Sequence, residues 1–279
     1  MPPADVKSPL RPAARAGAAL AIALLAACGR GEEAAPPPKA VAPPPPEKPV
    51  VLAPPPSLSR AELLAAMVQA ASDYAAGVRP EGNDPLVGRT FAVRAPFGCM
   101  GPRSEREARP GLARWQTGAQ GRTIELSLAP ADWTKTPLMA GAVAGKVWES
   151  VEGYWIDRPW LKTEACPATP QAGAGFTALP SPQTMGIASV FTPDESRLSQ
   201  RKGRPYNFTV RGSGDVLPLP PAQGYRLVLE GRIAAFPDGR AVNCRSEGPD
   251  QRPVCVVAVQ LDRVAFEDGG TGAEISQWR

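Results

Sequence analysis

Histidine is missing from the 279-residue sequence. The Ser-His-Asp and Cys-His mechanisms need an imidazole as the general base, so neither can operate with residues of this chain alone. Zinc sites that use histidine are excluded for the same reason. No two cysteines have the C-x-x-C spacing of redox enzymes and all-cysteine zinc sites. We therefore expect no metal ion, no cofactor and no identifiable catalytic residue, and we favour a binding protein over an enzyme.

A large net charge of either sign is also missing. The formal charge is +4, from 31 Lys and Arg against 27 Asp and Glu. Residues 1–27 contain Lys7, Arg11, Arg15 and Asp5, which leaves 28 basic and 26 acidic side chains in the rest. A surface this balanced has no field that would attract polyanions, so we expect no nucleic-acid partner.

Long hydrophobic runs are rare. Residues 16–27 form a run of twelve without charge, whereas a membrane-spanning helix needs about 20 apolar residues. A short apolar run behind a basic segment is typical of a secretion signal. The run ends in Leu25-Ala26-Ala27-Cys28, which resembles the lipobox of bacterial lipoproteins.

The resemblance to bacterial lipoproteins covers residues 1–28 and implies a membrane anchor. In that family the signal, here residues 1–27, is removed, and the cysteine, here Cys28, receives a diacylglycerol and an acyl group. Several acyl chains suffice for stable attachment. Gly29 is not the aspartate that retains many members in the inner membrane, so the resemblance implies the outer membrane, with the domain facing the periplasm. The alternative is an ordinary signal followed by an incidental cysteine.

Proline is concentrated in one segment, residues 28–56, where eleven prolines lie between Pro36 and Pro56. Proline fixes φ and removes a backbone donor, which favours polyproline II. At about 3.1 Å per residue, such a segment extends roughly 85 Å. It is either a stiff spacer or a tether without a preferred length.

Residues 57–279 are predicted to fold, beginning with a helix at 59–76. Ser59 and Glu62 form a capping box, and apolar residues follow with helical spacing. Gly77 is a natural stop. The apolar stripe either packs on the domain or binds a partner.

Alternating and valine-rich segments predict strands in the remainder. The predicted strands are 89–94, 123–128, 146–151, 154–157, 187–191, 225–233, 240–244, 254–261 with 263–266 as its continuation, and 273–278. Turns rich in Gly and Pro separate them, and no helix alternates with them. The pattern favours a mainly β fold, an antiparallel sandwich or partly closed barrel preceded by one amphipathic helix. A loop-like segment at 167–182 could divide two β halves.

Four cysteines remain besides Cys28. Export to an oxidising compartment favours two disulfides, for which three pairings exist. Pairing neighbours in sequence gives Cys99–Cys166 and Cys244–Cys255. The second pair flanks a turn-rich stretch between two strands, which suits a hairpin.

Aromatic residues are densest over residues 148–160. Tryptophan faces can stack on sugar rings, and a hairpin here would place Trp148 and Trp155 on one face. The alternative is that the rings fill a β core. The candidate ligand-binding residues are Trp148, Tyr154, Trp155 and Trp160.

Two further candidates concern charged side chains. Glu149, Glu152 and Asp157 are the acids best placed for a carboxylate-dependent glycan hydrolase. A cluster of cations could meet an anionic partner, or be a solvated loop. This cluster comprises Arg197, Arg201, Lys202 and Arg204.

These features predict a lipid-anchored envelope protein that binds or scaffolds another envelope protein or a glycan. The alternatives are a peptidoglycan-binding module and a glycan hydrolase.

Overall fold

The computed structural model describes residues 55–78, 84–139, 148–167, 182–194 and 205–279. These residues form one α-helix and twelve strands. In chain order they are β1 (Leu58–Ser59), α1 (Arg60–Ala75), β2 (Thr90–Phe97), β3 (Arg114–Thr117), β4 (Thr123–Leu128), β5 (Ala131–Asp132), β6 (Ser150–Trp155), β7 (Met185–Phe191), β8 (Tyr206–Arg211), β9 (Tyr225–Ile233), β10 (Val242–Arg245), β11 (Val254–Asp268) and β12 (Glu274–Trp278). The prediction of a mainly β fold preceded by one helix is confirmed.

Nine strands form the larger sheet, in the order β1-β2-β9-β11-β7-β6-β5, with β10 and β12 also paired to β11. Most neighbours are antiparallel, as predicted. Two pairs, β1 with β2 and β7 with β11, run parallel. Strands on either side of residues 167–182, β6 and β7, pair directly within this sheet.

The long strand β11 is the centre of the larger sheet. Its first part pairs with β10 and β7, and its second part pairs with β9 and β12. The N–H of Ala258 donates to the carbonyl of Ala241, and its own carbonyl accepts from Ala234. Strands β9 and β10 therefore follow one another along the same edge of β11. The register shifts between Leu261 and Arg263, where a β-bulge bends the strand.

Strands β3, β4 and β8 form a second, smaller sheet. In β4 the side chains of Ile124, Leu126 and Leu128 are buried, and the residues between them are partly exposed. The buried face belongs to one core cluster with Phe97 and Phe266 of the larger sheet. The two sheets therefore pack face to face as a sandwich and do not close into a barrel.

The capping box predicted from Ser59 and Glu62 is present. The Ser59 side chain accepts from the Glu62 N–H, and the Glu62 carboxylate accepts from the Ser59 N–H at 2.7 Å. Leu63, Leu64 and Met67 are buried against the core of the sandwich. No helix in the described part of the chain combines the length and apolar character that crossing a bilayer requires.

A second, smaller core lies on the opposite face of the larger sheet. It contains Trp133, Trp148 and Phe236. The Trp133 indole lies directly over two glycines of adjacent strands, Gly153 in β6 and Gly186 in β7. A Cβ at Gly153 would approach the ring to 2.0 Å, and one at Gly186 to 2.5 Å.

Several predicted boundaries differ from the structure. The strands predicted at 146–151 and 154–157 are one strand, β6, and residues 146–147 lie outside the described ranges. Residues 263–266 continue the strand predicted at 254–261, as considered from the sequence, and the resulting single strand β11 extends to Asp268. Four strands, β1, β3, β5 and β8, were not predicted.

Candidate functional site

The structure contains both predicted disulfides, Cys99–Cys166 and Cys244–Cys255. Cys244 and Cys255 are register partners in β10 and β11. Their bond therefore joins two adjacent strands, as the hairpin interpretation expected. Cys99 lies in the turn after β2, and Cys166 lies in the loop after β6.

The structure does not gather the four candidate aromatic residues on one surface. Trp148 is buried edge-to-face on Phe236, with ring centroids 5.2 Å apart. Trp155 is half-buried against Trp133, and Tyr154 lies in the main core on the opposite face of β6. Trp160 alone of the four is exposed, at 61%.

The three candidate acids also lie in different environments. Glu152 is buried and accepts a hydrogen bond of 2.9 Å from the Tyr154 hydroxyl. Asp157 forms a 2.8 Å ion pair with Arg158, and Glu149 is exposed. Their placement supplies no pair of acids facing one another across a cleft. Cys28 and the cations Arg197, Arg201, Lys202 and Arg204 lie outside the described residues.

A groove of about 470 Å³ lies on the outer face of the small sheet. Strand alternation produces this face, because residues between the buried positions of β3, β4 and β8 point outward. The register aligns them in two rows across the three strands. One row is Arg114, Ser127 and Asn207, and the other is Gln116, Glu125 and Thr209.

Hydrogen bonds tie part of this face together. Arg114 Nη1 donates to Gln116 Oε1 at 2.8 Å, and Gln116 Nε2 donates to Glu125 Oε2 at 2.7 Å. Arg114 also pairs with Glu105 of the preceding loop. Four side chains are thereby linked across two strands and a loop, which orients the Glu125 carboxylate in the groove.

The segment 104–110 forms one wall of the groove. It is held by a second capping box, in which the N–H and hydroxyl of Ser104 both donate to Glu107 at 2.9 Å. These hydrogen bonds lower the pKa of Glu107. Arg109 follows on the same wall, exposed and without an ion pair to any described residue. Pro205 and Phe208 line the groove on the β8 side.

Three groove side chains, Ser127, Asn207 and Thr209, form no hydrogen bond within the described ranges. Together with Arg109 they offer donors and acceptors, while Glu125 offers an acceptor. This mixture matches a ligand whose groups both donate and accept, as sugar hydroxyls do. The sequence does not reveal the groove, because its residues come from three strands and a loop that share no motif.

The described residues contain no cluster of three or more metal-ligating side chains. The chain matches no family model, no curated protein and no solved structure, so its function is inferred from the geometry of these surfaces.

Proposed function

We propose that this chain is a lipid-anchored envelope protein, attached through Cys28, whose β sandwich binds an envelope glycan in the groove of the small sheet. The observation that carries the proposal is the pair of polar rows on the outer face of β3, β4 and β8. Folding of a sheet does not require its solvent-facing side chains to contact one another. Here Glu105, Arg114, Gln116 and Glu125 are linked in one chain of contacts.

The dimensions of the groove favour an extended polar ligand. Adjacent strands lie about 4.8 Å apart, and residues of one face repeat about every 6.7 Å along a strand. The groove volume of about 470 Å³ falls within the usual range for ligand sites, about 300–1,000 Å³. A glycan can place hydroxyls over several of these positions at once, whereas an apolar ligand would leave them unpaired.

Two observations support an extracytoplasmic location. The lipobox at residues 25–28 suits an exported, acylated chain. The two disulfides are compatible with an oxidising compartment. Together they support a location outside the cytoplasm. Gly29, through the same lipoprotein resemblance, favours the outer membrane, with the domain facing the periplasm, as the place where a glycan partner is available.

Cosedimentation with insoluble peptidoglycan tests the glycan proposal. The full chain, purified in detergent with its native amino terminus, is expected to pellet with the glycan. Arg109→Ala and Asn207→Ala should each weaken binding, about tenfold for the charged donor and several-fold for the neutral amide. The matched control is Arg106→Ala, because Arg106 is exposed in the same segment but does not line the groove.

Two results would contradict the proposal. One is a wild-type protein that stays in the supernatant at all glycan concentrations. The other is equal binding by the Arg106→Ala, Arg109→Ala and Asn207→Ala variants. Mass spectrometry of the same preparation tests the anchor independently, because an intact Met1 or a Cys28 without acyl mass would exclude it.

One observation favours a second candidate, a protein partner. Strand β8 pairs only with β4 among the described strands, so its other edge offers backbone groups to an added strand. A pulldown in detergent that recovers an envelope protein, and recovers it equally with the groove variants Arg109→Ala and Asn207→Ala, would favour this candidate over the glycan.

A further inference from the structure

Three loops meet at the Cys99–Cys166 disulfide, and we call this region the loop end. They are residues 97–101, 157–167 and 212–224. Arg158 Nη2 lies 3.5 Å from Cys99 Sγ. A Cβ at Gly224 would lie 3.0 Å from Cys166 Sγ and 2.6 Å from the carbonyl of Phe97.

The loop end carries an unusual set of exposed apolar side chains. Ten large hydrophobic residues are exposed in the described chain, and the five most exposed all belong to these loops. They are Leu219 (84%), Met100 (82%), Val216 (70%), Trp160 (61%) and Leu217 (54%). Single exposed apolar residues are ordinary, but five on three joined loops indicate an interaction surface.

The loop that carries Trp160 is held by a buried cation. The Arg60 guanidinium, completely buried at the start of α1, donates to the carbonyls of Leu161, Asp157 and Arg158 at 3.0 to 3.2 Å. Burial, and next the like charge of Arg158, lower the pKa of Arg60 to about 10. Arg60 therefore stays charged at neutral pH, and its hydrogen bonds are charge-assisted.

Two further restraints act on the same loop. Arg226 Nε donates to the carbonyl of Glu164 at 2.9 Å. Arg158 has a φ of 51°, a left-handed conformation that is unfavourable for a non-glycine residue and persists where the surroundings impose it. With the disulfide at Cys166, these contacts restrain the backbone on both sides of Trp160, whose side chain is exposed.

We propose that the loop end docks on the bilayer that holds the acyl chains of Cys28, which rests on the proposed lipid anchor. An indole prefers the interface between water and hydrocarbon, and Leu, Val and Met side chains gain by entering it. Lys162 lies two residues after Trp160, exposed and without an ion pair to a described residue, and suits anionic headgroups.

The tether permits this contact. The chain enters the domain at Ser57, which hydrogen-bonds Thr90 at the start of β2. Arg60, three residues after Ser57, donates to the carbonyl of Leu161 at 3.0 Å, so the loop that carries Trp160 lies beside this entry point. Cys99 follows the other end of β2, which spans about 25 Å for its eight residues. Residues 29–54 reach up to roughly 80 Å in an extended conformation, so the loop end can rest on the membrane without strain. Aliphatic side chains offer no hydrogen bond to a sugar, which makes a lipid surface the better partner than a glycan.

Quenching of Trp160 by brominated lipids tests the proposal. The full lipidated chain is reconstituted in vesicles of phosphatidylethanolamine and phosphatidylglycerol with brominated acyl chains. The difference between wild type and Trp160→Phe isolates the Trp160 signal, which we expect to be quenched. Leu219→Ser should lower the equilibrium constant for contact between the loop end and the bilayer at least tenfold, since each CH₂ buried in the bilayer raises that constant about fourfold. Val68→Ser on α1, where Val68 is 45% exposed, is the matched control and should leave quenching unchanged.

Each outcome decides the matter. A chain that floats with the vesicles but shows equal quenching in wild type and Trp160→Phe overturns membrane docking while leaving the anchor intact. A chain that does not float removes the anchor and, with it, this proposal. A Trp160 emission that responds to soluble glycan fragments, and not to brominated lipid, assigns the loop end to a glycan instead. Matching unfolding midpoints for the two serine variants show that the domain remains folded.

Discussion

Gly153→Ala is the substitution for which the structure makes the sharpest stability prediction. Gly153 lies in the middle of β6, beneath the buried indole of Trp133. An added Cβ would sit 2.0 Å from Cε2 and 2.1 Å from Cδ2 of that ring. Carbon atoms in contact are normally about 3.5 Å apart. The indole must therefore move by about 1.5 Å, or the strand must bend away from it.

Neither movement is easy, because Trp133 is only 3% exposed and packs edge-to-face on Trp155 at 4.6 Å. Overpacking a core ordinarily costs about 1–3 kcal/mol. Complete expulsion of the tryptophan would cost about 3–5 kcal/mol. We expect Gly153→Ala to lower the free energy of unfolding by about 3 kcal/mol, between these limits.

Urea unfolding of the full chain in detergent, followed by circular dichroism, measures this loss. The matched control is Gly248→Ala, because a Cβ there meets nothing within 4 Å and no positive φ is involved. It should change stability by less than about 0.5 kcal/mol, or raise it slightly. In a Trp133→Leu background, Gly153→Ala should cost less than about 1 kcal/mol, since the clashing ring is gone. A Gly153→Ala protein as stable as wild type, or an equal loss in both backgrounds, would refute the proposed steric contact.

Two further predictions concern the two disulfides and the N-terminal cap of α1. Replacing Cys99 and Cys166 together by serine should cost about 4 kcal/mol, because the bond closes a loop with a sequence separation of 67; replacing Cys244 and Cys255 should cost about 3 kcal/mol for a separation of 11. Urea midpoints measure both, and an equal or reversed order would contradict the loop-closure argument. Ser59→Ala should cost about 1 kcal/mol at neutral pH through loss of the helix cap. The backbone and side-chain hydrogen bonds from Ser59 lower the pKa of Glu62 in the folded state. The stabilisation that ionised Glu62 provides is therefore present above the ordinary glutamate pKa and is lost as the pH falls through the lowered pKa. A Ser59→Ala effect that does not shrink with acidification would count against the capping box.

Local signals predicted some elements closely. Helix α1 follows a capping box, which specifies its first residues whatever surrounds it. Strand β4 alternates apolar and polar residues along its whole length, and β9 does so except around Val228; both were predicted with their observed bounds, 123–128 and 225–233. The disulfide between Cys244 and Cys255 was also predictable, because strands on either side of a short turn place register partners within bonding distance.

Long-range contacts decide the features that were not predicted. A hairpin was considered for the strands predicted at 146–151 and 154–157, but Gly153 between them continues β6, where its missing side chain leaves room for the Trp133 indole. Residues 263–266 were interpreted as a continuation of the strand 254–261, and β11 does pass through Asp262 and Arg263, where a bulge shifts its register. Strand β3 has only four residues, too few for a periodic pattern.

The candidate sites also depend on long-range contacts that local sequence signals do not reveal. A tryptophan in sequence is equally suited to a core and to a surface, so Trp148 and Trp160 could not be distinguished. Only the structure shows that Phe236 covers the first and that nothing among the described residues covers most of the second. The groove depends on which strands are neighbours, and the strand order cannot be predicted from any single segment of the sequence.

The position of β11 at the centre of the larger sheet has a consequence for biogenesis. Ten of the other strands precede Val254 in the chain, and β7, β9 and β10 all need β11 as a partner. While a growing chain has not yet supplied these residues, its two half-sheets have no shared strand and cannot close. The larger sheet can therefore be completed only after nearly the whole chain has been synthesised.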